Sequence, residues 1–379
     1  MKIACLSTSQ VPSTTANSIQ LMKVCQALAQ QSASVCLWVP GKRPAGLRTE
    51  MLAEHYGLDV GRFFEVRWLP TWNIFRRYDF ALIGMRQAQT WGADLIYTWL
   101  PQVATRALSA RQPVVLELHD RPTGTFGPRL FRRFASLSGK KRLLVITRAL
   151  KARLEQEYQV SFNPDQIQVA PNGTELEHYA HLPGAVEARR QLGLAERQTV
   201  VYTGHFYSGR GMELLFGLAH ALPDVNFLWV GGKAEDVAFW RERLANAGIH
   251  NVTLTGFIEN RKLPLYQAAG DVLLMPYERQ IAGSSGGNSA EICSPMKMFD
   301  YLACGRAILS SDLAVLHEVL NDTNAIFCPP EDLPGWIKTL QALLDDAPRR
   351  ARLADQARLD AAGYTWSERA RRALEGFRV

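Results

Sequence analysis

The chain has 379 residues, of which 47% are hydrophobic and 21% are charged, and this composition excludes a disordered, collagen-like or disulfide-stapled protein. A chain of this length is expected to form two domains, each with its own core. Its 43 lysines and arginines outnumber its 36 acidic residues and give a net charge of +7, which suggests an anionic partner such as a nucleic acid or a membrane surface.

The excess positive charge lies entirely in the first half of the chain. Residues 1–195 carry 24 basic and 14 acidic residues, whereas residues 196–379 carry 19 and 22. No sequence signature of a helix-turn-helix, a zinc module or an aromatic RNA-binding sheet accompanies this charge. We therefore expect no nucleic-acid partner, and we assign the charge to an acceptor or an anionic membrane surface.

The cysteines and the apolar runs indicate a cellular compartment. The six cysteines are scattered without a C-x-x-C pair or a nearby pair of histidines, which predicts buried thiols in a reducing compartment and no metal site. The apolar run at residues 3–6 is too short for a signal peptide, and no run approaches the ~20 apolar residues of a membrane span. We expect a cytoplasmic protein whose contact with the inner membrane face is peripheral.

Short apolar runs alternate with longer amphipathic stretches along the first half of the chain. This alternation is typical of parallel strands covered by helices. Residues 18–31, for example, repeat apolar side chains at spacings of three and four and therefore predict a helix. The predicted strands of this half are residues 3–6, 34–39, 64–69, 95–98, 114–118, 143–146 and 167–169.

The same alternation starts again near residue 199, after turn-rich segments at residues 171–173 and 182–184. The predicted strands of the second half are residues 199–203, 226–230, 252–255, 272–275, 307–310 and 325–327. The predicted helices lie near residues 211–221, 234–247, 262–269, 296–303, 314–319 and 333–345. This order predicts an α/β protein with two doubly wound domains, each of which places ligands at the carboxyl ends of its strands.

Two familiar nucleotide-binding motifs are missing from the sequence. Residues 7–20, which follow the first strand, contain no glycine, so the dinucleotide fingerprint G-x-G-x-x-G is absent there. The P-loop pattern G-x-x-x-x-G-K-[ST] occurs nowhere in the chain. We therefore expect neither NAD nor a P-loop nucleotide as a ligand.

A glycine turn follows the strand at residues 199–203 and precedes a helix. Gly204 and Gly211 allow the backbone to approach a ligand closely, and His205 lies on the same turn. Arg210 can bind a diphosphate through two parallel hydrogen bonds. The alternative is an ordinary strand-to-helix turn with a solvent-exposed arginine.

A second loop, at residues 283–287, consists of glycine and serine only and leads toward another helix. Ser294 is the predicted N-cap and Pro295 the predicted first helical residue, so the helix N-terminus can hold a phosphate or a sugar. Lys297 supplies a cation, and Asp300 can accept hydrogen bonds from two vicinal ribose hydroxyls. For the loop alone, a surface linker is the alternative.

Residues 204–211, residues 294–305 and the Asn172-Gly173 turn together resemble the GT-B-fold retaining glycosyltransferases of family 4, which are related to glycogen synthases. The resemblance is strong over residues 199–320 and weak in the first half. It implies two Rossmann-like domains that face each other across a cleft. Residues 1–180 would bind the acceptor, residues 181–363 would bind a nucleotide-sugar donor, and a helix at residues 364–379 would cross back to the first domain.

The resemblance also implies roles for individual residues. Arg210 and Lys297 would hold the donor diphosphate, and His205 lies on the same anion-binding turn. His119, which follows a predicted strand of the first half, would lie beside the donor sugar, and Asp300 would bind the ribose. The other implied donor-site residues are Gly204, Gly211, Gly232, Phe257, Ile258, Ser294, Pro295 and Met296.

The sequence departs from the family pattern at two places. The family carries a catalytic acid eight positions before its ribose-binding acid, but that position is Ile292 here, and Glu291 is one residue out of register. Either Glu291 takes the catalytic place through a loop rearrangement, or backbone groups replace the acid. The family's glycine pair after the first strand is also replaced, and Thr15, Asn17 and Ser18 are expected to contact the donor phosphates and the acceptor. Asn17 and Ser18 are the predicted N-cap of the helix that follows.

The implied activity moves a sugar, with retention of configuration, from a UDP- or GDP-type nucleotide sugar to a hydroxyl group of a glycan or lipid-linked acceptor. Polysaccharide, glycolipid or cell-envelope glycan synthesis would be the setting. The departing phosphate would help to deprotonate the incoming hydroxyl, and neither a metal nor another cofactor is expected. Two alternatives stay open: a nucleotide-sugar epimerase of the same architecture, and a catalytically silent nucleotide-sugar-binding protein.

One basic segment of the first half has a composition suited to a membrane surface. Residues 129–142 carry six basic residues around an apolar stripe formed by Leu130, Phe131, Phe134 and Leu137. Helices of this kind can lie on anionic lipid, which would bring the first domain to a lipid-linked acceptor. The alternative is a domain helix that packs the stripe against the sheet and leaves its arginines in water.

Overall fold

The computed structural model describes residues 1–31, 34–71, 78–281 and 288–377. They form two compact α/β units, the first of which comprises Met1–Asn172 together with Trp366–Val379, and the second Gly173–Thr365.

The first unit therefore ends at Asn172, whereas the predicted boundary follows residue 180. The residues between these points contact the second unit's own elements. Thr174 forms a β-bridge with Thr365, and the hydroxyl of Tyr179 donates a hydrogen bond to Gln267 at 3.0 Å. These contacts explain why residues 173–180 belong to the second unit.

The first unit is built on seven parallel strands. They are β1 (Lys2–Leu6), β2 (Ser34–Pro40), β3 (Phe64–Leu69), β4 (Leu95–Thr98), β5 (Val114–Leu118), β6 (Lys141–Val145) and β7 (Ile167–Val169). Their order in the sheet is β3-β2-β1-β4-β5-β6-β7, and the predicted strands of this half are all present. Strands β4 and β5 are buried along their whole length, which explains why most of their residues are apolar.

Helices cover both faces of this sheet. They are α1 (Ala16–Gln30), α2 (Thr49–Tyr56), α3 (Tyr78–Trp91), α4 (Pro101–Ser109), α5 (Gly127–Ser136), α6 (Arg148–Tyr158) and α14 (Trp366–Ala373). The last of these packs on α1, and the side chain of Gln31 donates to Ser367 at 3.0 Å. Arg142 donates to the carbonyl oxygens of Arg372 and Ala373, both at 3.0 Å. The final helix thus crosses back to the first unit, as the family resemblance implies.

The second unit contains six parallel strands. They are β8 (Thr199–Gly204), β9 (Asn226–Gly231), β10 (Val252–Leu254), β11 (Val272–Met275), β12 (Ala307–Ser311) and β13 (Ile326–Cys328). Their order is β10-β9-β8-β11-β12-β13. Because β9, β8 and β11 are neighbours and parallel, the loops that follow them lie together at one edge of the sheet.

Seven helices are found in the described part of the second unit. They are α7 (Ala185–Gln191), α8 (Met212–Ala221), α9 (Ala234–Asn246), α10 (Leu263–Ala268), α11 (Met296–Cys304), α12 (Leu333–Asp345) and α13 (Ala347–Ala361). The helix predicted at residues 314–319 is instead a single 3₁₀ turn, Leu316–Glu318. Such turns are short because their hydrogen-bond geometry is poorer than that of an α-helix.

Candidate functional site

The glycine turn between β8 and α8 is held in a conformation that only glycine adopts easily. Gly204 has a φ of 144°, and a Cβ atom there would lie 2.8 Å from the ammonium nitrogen of Lys297. Gly211, with a φ of 74°, is the N-cap of α8, and its Cβ would overlap the carbonyl oxygen of Pro276. The two glycines therefore let the turn pack against Lys297 and against the segment that follows β11.

A carboxylate that the sequence analysis does not single out fixes this turn. The side chain of Glu278, three residues after β11, accepts hydrogen bonds from the backbone N–H groups of Gly209 at 3.2 Å and Gly211 at 3.1 Å. The signal available in the sequence is an acidic residue just beyond the end of a buried central strand. Glu278 thereby orients the backbone on both sides of Arg210.

Arg210 lies between two tyrosine rings. Its guanidinium carbon is 4.8 Å from the ring centre of Tyr207 and 5.2 Å from that of Tyr277, and it donates to the Tyr207 hydroxyl at 2.6 Å. No carboxylate forms an ion pair with Arg210 in the part of the chain that the structure describes. The cation is stabilised by aromatic faces and keeps hydrogen-bond donors for an anion.

Lys297 is the second cation of this site. Its ammonium nitrogen is buried and lies 3.9 Å from the ring centre of Tyr202 and 5.4 Å from that of Tyr277. Among the described residues it has no hydrogen-bond partner. An ammonium group without a hydrogen bond or a counter-charge is unfavourable in a protein interior, so this position is suited to an incoming anion.

The electrostatics of the turn agree with an anion site. Burial, and then the positive charge of Arg210, lower the pKa of Lys297 well below its ordinary value. Burial likewise lowers the pKa of His205, and the charges of Arg210 and Lys297 lower it further. Burial is the larger cause of both pKa shifts, and repulsion among the neighbouring positive charges adds to it. An anion bound here would relieve that repulsion.

Helix α11 begins one residue later than predicted. Pro295 is its N-cap, with extended backbone angles (φ −66°, ψ 127°), and Met296 is its first residue. The prediction that Ser294 caps the helix is therefore wrong, because the extended Pro295 separates Ser294, which is buried, from the first turn. The predicted glycine and serine loop at residues 283–287 lies outside the described residues.

Asp300 lies one turn beyond Lys297 on α11, so the two side chains share a helix face. Its carboxylate accepts a hydrogen bond from the hydroxyl of Thr174 at 3.0 Å. The nearby Tyr179 has a pKa raised well above its ordinary value, first by burial and then by the charge of Asp300. The structure thus brings Thr174 to the predicted ribose-binding acid.

The family's missing acid is replaced by a core residue. Ile292 is buried, and its backbone N–H donates to the carbonyl of Ser289 at 3.1 Å. Glu291 is exposed. The apolar side chain of Ile292 is in the core of the unit, so the family's acidic group has no direct counterpart at that position.

The loops that carry the predicted donor-site residues Gly232, Phe257 and Ile258 lie next to the glycine turn. Gly231 donates to the carbonyl of Gly256 at 2.9 Å, and Gly232 donates to that of Gly204 at 3.1 Å. Phe257, directly after Gly256, is 45% exposed, and Ile258 beside it is partly buried. Hydrogen bonds between loops thus bring these strand ends together.

In the first unit, His119 directly follows β5 and contacts a buried acid. Its Nε2 atom lies 2.5 Å from Oε1 of Glu117. Glu117 also pairs with Arg369 of α14 at 2.8 Å. Neither Glu117 nor Arg369 is predicted as a site residue from the sequence, although an acidic residue within the otherwise apolar strand at residues 114–118 is a recognisable signal. The side chain of Glu117 is fully buried, whereas that of His119 is 21% exposed.

The loop after β1 differs from its prediction. Helix α1 begins at Ala16, with Thr15 as N-cap and no side-chain capping bond. Ser18 lies inside the helix and is fully buried. Its hydroxyl donates a hydrogen bond to the carbonyl oxygen of Gln10 at 2.8 Å. The prediction that Asn17 and Ser18 cap the helix is therefore wrong, because the helix starts before them. Thr15 and Asn17 are exposed.

The basic segment at residues 129–142 is largely a packed element of the first unit. Phe131 and Phe134 are fully buried, whereas Leu130 and Leu137 are partly buried. Three of the six basic residues donate to backbone carbonyl groups, namely Arg132, Lys141 and Arg142. The alternative of a helix packed within the domain therefore explains the burial of most of the apolar stripe. It also explains the position of three of the six basic residues.

Within the described ranges, no cluster of three or more His, Cys, Asp or Glu side chains is arranged to hold a metal ion. No helix in those ranges combines the length and the apolar composition needed to cross a bilayer.

Two doubly wound units with parallel sheets, one carrying paired cations at its strand ends, define the class of GT-B proteins. Residues 18–178 match the model of "Glycosyltransferase Family 4", and residues 197–346 match that of "Glycosyl transferases group 1". The chain belongs to the family 4 glycosyltransferases.

Three proteins illustrate these relationships. The chain is 27% identical over 56% of its length to a D-inositol 3-phosphate glycosyltransferase of Xylanimonas cellulosilytica, covering 51% of that protein. It is 26% identical over 70% of its length to the phosphatidyl-myo-inositol mannosyltransferase of Mycolicibacterium smegmatis, covering 65% of that protein. The matched regions thus span about half to two thirds of these relatives. The crystal structure of Anabaena HepE in complex with UDP has the same fold, with a TM-score of 0.73, 17% identity and 99% coverage of both chains.

Proposed function

We propose that this protein transfers a sugar from a nucleotide-diphosphate sugar to a hydroxyl acceptor. The observation that carries the proposal is the pair of cations, Arg210 and Lys297, at the carboxyl edge of the second sheet. Both are surrounded by tyrosine rings, and no carboxylate pairs with either of them among the described residues. A diphosphate supplies the missing negative charge, and it is also the leaving group of this reaction.

We propose further that the transfer is retaining and does not require a metal. As the bond to the sugar breaks, further negative charge develops on the departing, already anionic diphosphate, and Arg210 and Lys297 are placed to stabilise it without a divalent cation. An oxygen of the leaving phosphate accepts the proton of the incoming hydroxyl on the same face of the sugar. His119 and Asp300 keep the roles that the family resemblance implies. The place of the family's catalytic acid is taken either by Glu291, through a loop rearrangement, or by backbone groups.

UDP is the nucleotide to test first, because the structural neighbour HepE was crystallised with UDP. The glycine loops at residues 231–232 and 256–258 offer backbone groups to a base, and backbone groups discriminate weakly by themselves. GDP is therefore the matched competitor. We propose that the exposed Phe257, together with Ile258, flanks the base.

A lipid-linked acceptor is proposed for the first unit. Phe126 is 54% exposed, and its ring packs edge-on against Tyr78. Beside them, a groove of about 530 Å³ between α3, α4 and α5 is lined in part by Leu82, Arg106 and Arg133. Exposed aromatic rings next to arginines favour contact with an anionic bilayer. The mannosyltransferase relative acts, by its name, on a phosphatidyl-inositol.

A panel of nucleotide sugars tests the proposed activity. The protein is incubated with UDP- and GDP-sugars, with and without membrane extract, and the free nucleotide is measured. Arg210→Ala is expected to reduce nucleotide release by about 100-fold, the loss typical of one oxyanion-stabilising donor. The matched control is Arg241→Ala, which removes an exposed arginine of α9.

The panel also separates the alternatives. Release of nucleotide that Arg210→Ala leaves unchanged would show that the donor site is misplaced. Conversion of the sugar without release would identify an epimerase. Binding without any turnover would identify a silent nucleotide-sugar-binding protein, the candidate favoured by the buried Ile292 at the family's acid position.

A further inference from the structure

A buried carboxylate joins His119 to the C-terminal helix of the first unit. Glu117 lies on β5 and accepts hydrogen bonds from four different side chains. Gln20 donates to it at 2.6 Å, Tyr97 donates its hydroxyl, and Arg369 donates at 3.1 Å. His119 Nε2 completes the set at 2.5 Å. Four donors match the lone pairs of one carboxylate, so its orientation is fully determined.

Glu117 must be ionised in this position. Burial alone would raise its pKa, but the positive charge of Arg369 and the contact with His119 outweigh burial and hold the pKa below its ordinary value. An ionised carboxylate has no proton to donate. The hydrogen between Glu117 and His119 therefore belongs to Nε2 of the imidazole.

The position of this hydrogen has a consequence for the other ring nitrogen. In a neutral imidazole with a proton on Nε2, the Nδ1 atom is a hydrogen-bond acceptor. We propose that Glu117 is a positioning residue that holds His119 in this tautomer, so that Nδ1 accepts a hydrogen bond from a hydroxyl group of the bound substrate. This inference rests on the proposed function, which places His119 beside the donor sugar.

Arg369 makes the arrangement rigid. Besides Glu117, it donates to the carbonyl oxygens of Ala170 at 3.3 Å and Pro171 at 3.0 Å, just beyond β7. The guanidinium is thus fixed at several points, and Glu117 cannot rotate away from His119 without leaving a buried cation unpaired. Breaking a buried ion pair in this way is strongly unfavourable.

Nitrogen NMR of the intact protein tests the tautomer directly. The chain contains eight histidines, so the protein is prepared with ¹⁵N-labelled histidine and the His119 signals are assigned by their loss in His119→Gln. At a pH where the ring is neutral, we expect Nε2 to show the shift of a protonated nitrogen and Nδ1 that of an unprotonated one. The opposite pattern in the wild-type protein overturns the proposal. Because this measurement uses the wild-type protein, it does not depend on whether a Glu117 variant folds.

Two matched variants test the role of the carboxylate. Glu117→Gln keeps one acceptor oxygen but replaces the other oxygen by an NH2 group, which points at the hydrogen-bond donors that surround Glu117. We therefore expect both neutral tautomers of His119 to be populated. Tyr97→Phe removes a different donor from the same carboxylate and leaves the His119 contact in place, so the tautomer pattern should not change. A folded Glu117→Gln protein with the wild-type pattern, or a Tyr97→Phe protein with a mixed one, contradicts the inference.

Turnover provides the second measurement. With the nucleotide sugar that the panel selects, we expect Glu117→Gln to lower kcat/KM at least about tenfold, and Tyr97→Phe to lower it no more than about twofold. Equal losses in the two variants would indicate a purely structural role. If no nucleotide sugar is turned over, the proposed function fails, but the NMR result still decides the tautomer.

Discussion

At the scale of single residues, Lys297 shows how a cation can be kept ready for a ligand. Its ammonium group is buried over the face of Tyr202, and Gly204 gives it room because any larger residue would collide with it. Aromatic faces stabilise a desolvated cation only in part. A bound anion would offset the rest of the free energy that is lost when the Lys297 ammonium group is removed from water.

This environment predicts that nucleotide binding takes up a proton. The pKa of free Lys297 is lowered by burial and by Arg210, and a nearby diphosphate raises it again, because an opposite charge favours the protonated form. UDP affinity should therefore fall as the pH rises toward the ordinary lysine pKa of about 10.4. Calorimetry of UDP binding in buffers with different ionisation enthalpies measures the protons exchanged.

Lys297→Met should abolish this uptake and weaken UDP binding at neutral pH. Lys338→Met, which removes an exposed lysine of α12, is the control and should bind UDP as the wild type does. Proton uptake that persists in Lys297→Met would assign the titrating group to another residue.

At the scale of elements, the glycine turn between β8 and α8 is determined by packing as well as by backbone conformation. Gly211 and Gly248 both have a positive φ, 74° and 67°. A Cβ atom at Gly211 would overlap the carbonyl of Pro276, whereas one at Gly248 would meet nothing within 4 Å. The two positions therefore separate conformational strain from steric overlap.

Alanine substitutions measure the difference. Gly248→Ala should destabilise the protein by about 1 kcal/mol, the strain of a left-handed residue. Gly211→Ala should cost several kcal/mol because the turn must also move, and it should weaken UDP binding, since Arg210 lies on that turn. The measurements are urea unfolding and UDP titration. Equal effects of the two substitutions would mean that the turn is not packed as described.

The sheets of both units were predictable from the sequence, whereas the helix ends and the buried polar contacts were not. Central strands such as β11 carry a continuous apolar run because both of their faces are covered. Helix α13 was not predicted, since only Leu353, Ala357 and Ala361 are buried in it, a narrow stripe on a polar helix. Pairing partners such as Glu117 and Arg369 lie 252 residues apart, and no local pattern connects them.

The candidate donor site was predictable to a similar degree. Arg210 and Lys297 stand out as cations at a glycine turn and at a helix start. In the sequence, the surrounding tyrosines look like ordinary core residues. Only the folded unit shows that the rings of Tyr202 and Tyr277 form cation–π contacts with Lys297 and Arg210. Glu278 was missed for the same reason, because its role depends on the loop that it meets.

At the scale of the whole molecule, the net positive charge belongs to the first half of the chain, which contains 24 basic and 14 acidic residues. Part of that charge stabilises the fold of the first unit, because Lys141 and Arg142 donate hydrogen bonds to carbonyl groups at helix ends. Arg129 and Arg133 of α5 are exposed, and Arg133 lines the groove beside α3 and α4. These two arginines are the best candidates for contact with anionic lipid.

Vesicle sedimentation tests this contact. At low salt, the protein should sediment with phosphatidylglycerol vesicles more than with phosphatidylcholine vesicles, and added salt should reduce the difference. Replacing Arg129 and Arg133 with glutamate should remove the preference. The same change at the exposed Arg349 and Arg352 of the second unit is the control. Equal sedimentation with both lipids would count against a membrane-docked first unit.

The crossing of α14 back to the first unit also sets an order of events during synthesis. Glu117 leaves the ribosome early, but its cation Arg369 is made 252 residues later, after the entire second unit. Until then the nascent first unit holds a carboxylate that cannot be buried without cost. The contact that orients His119 therefore forms last, so a polypeptide interrupted before Arg369 lacks it even if both of its sheets have folded.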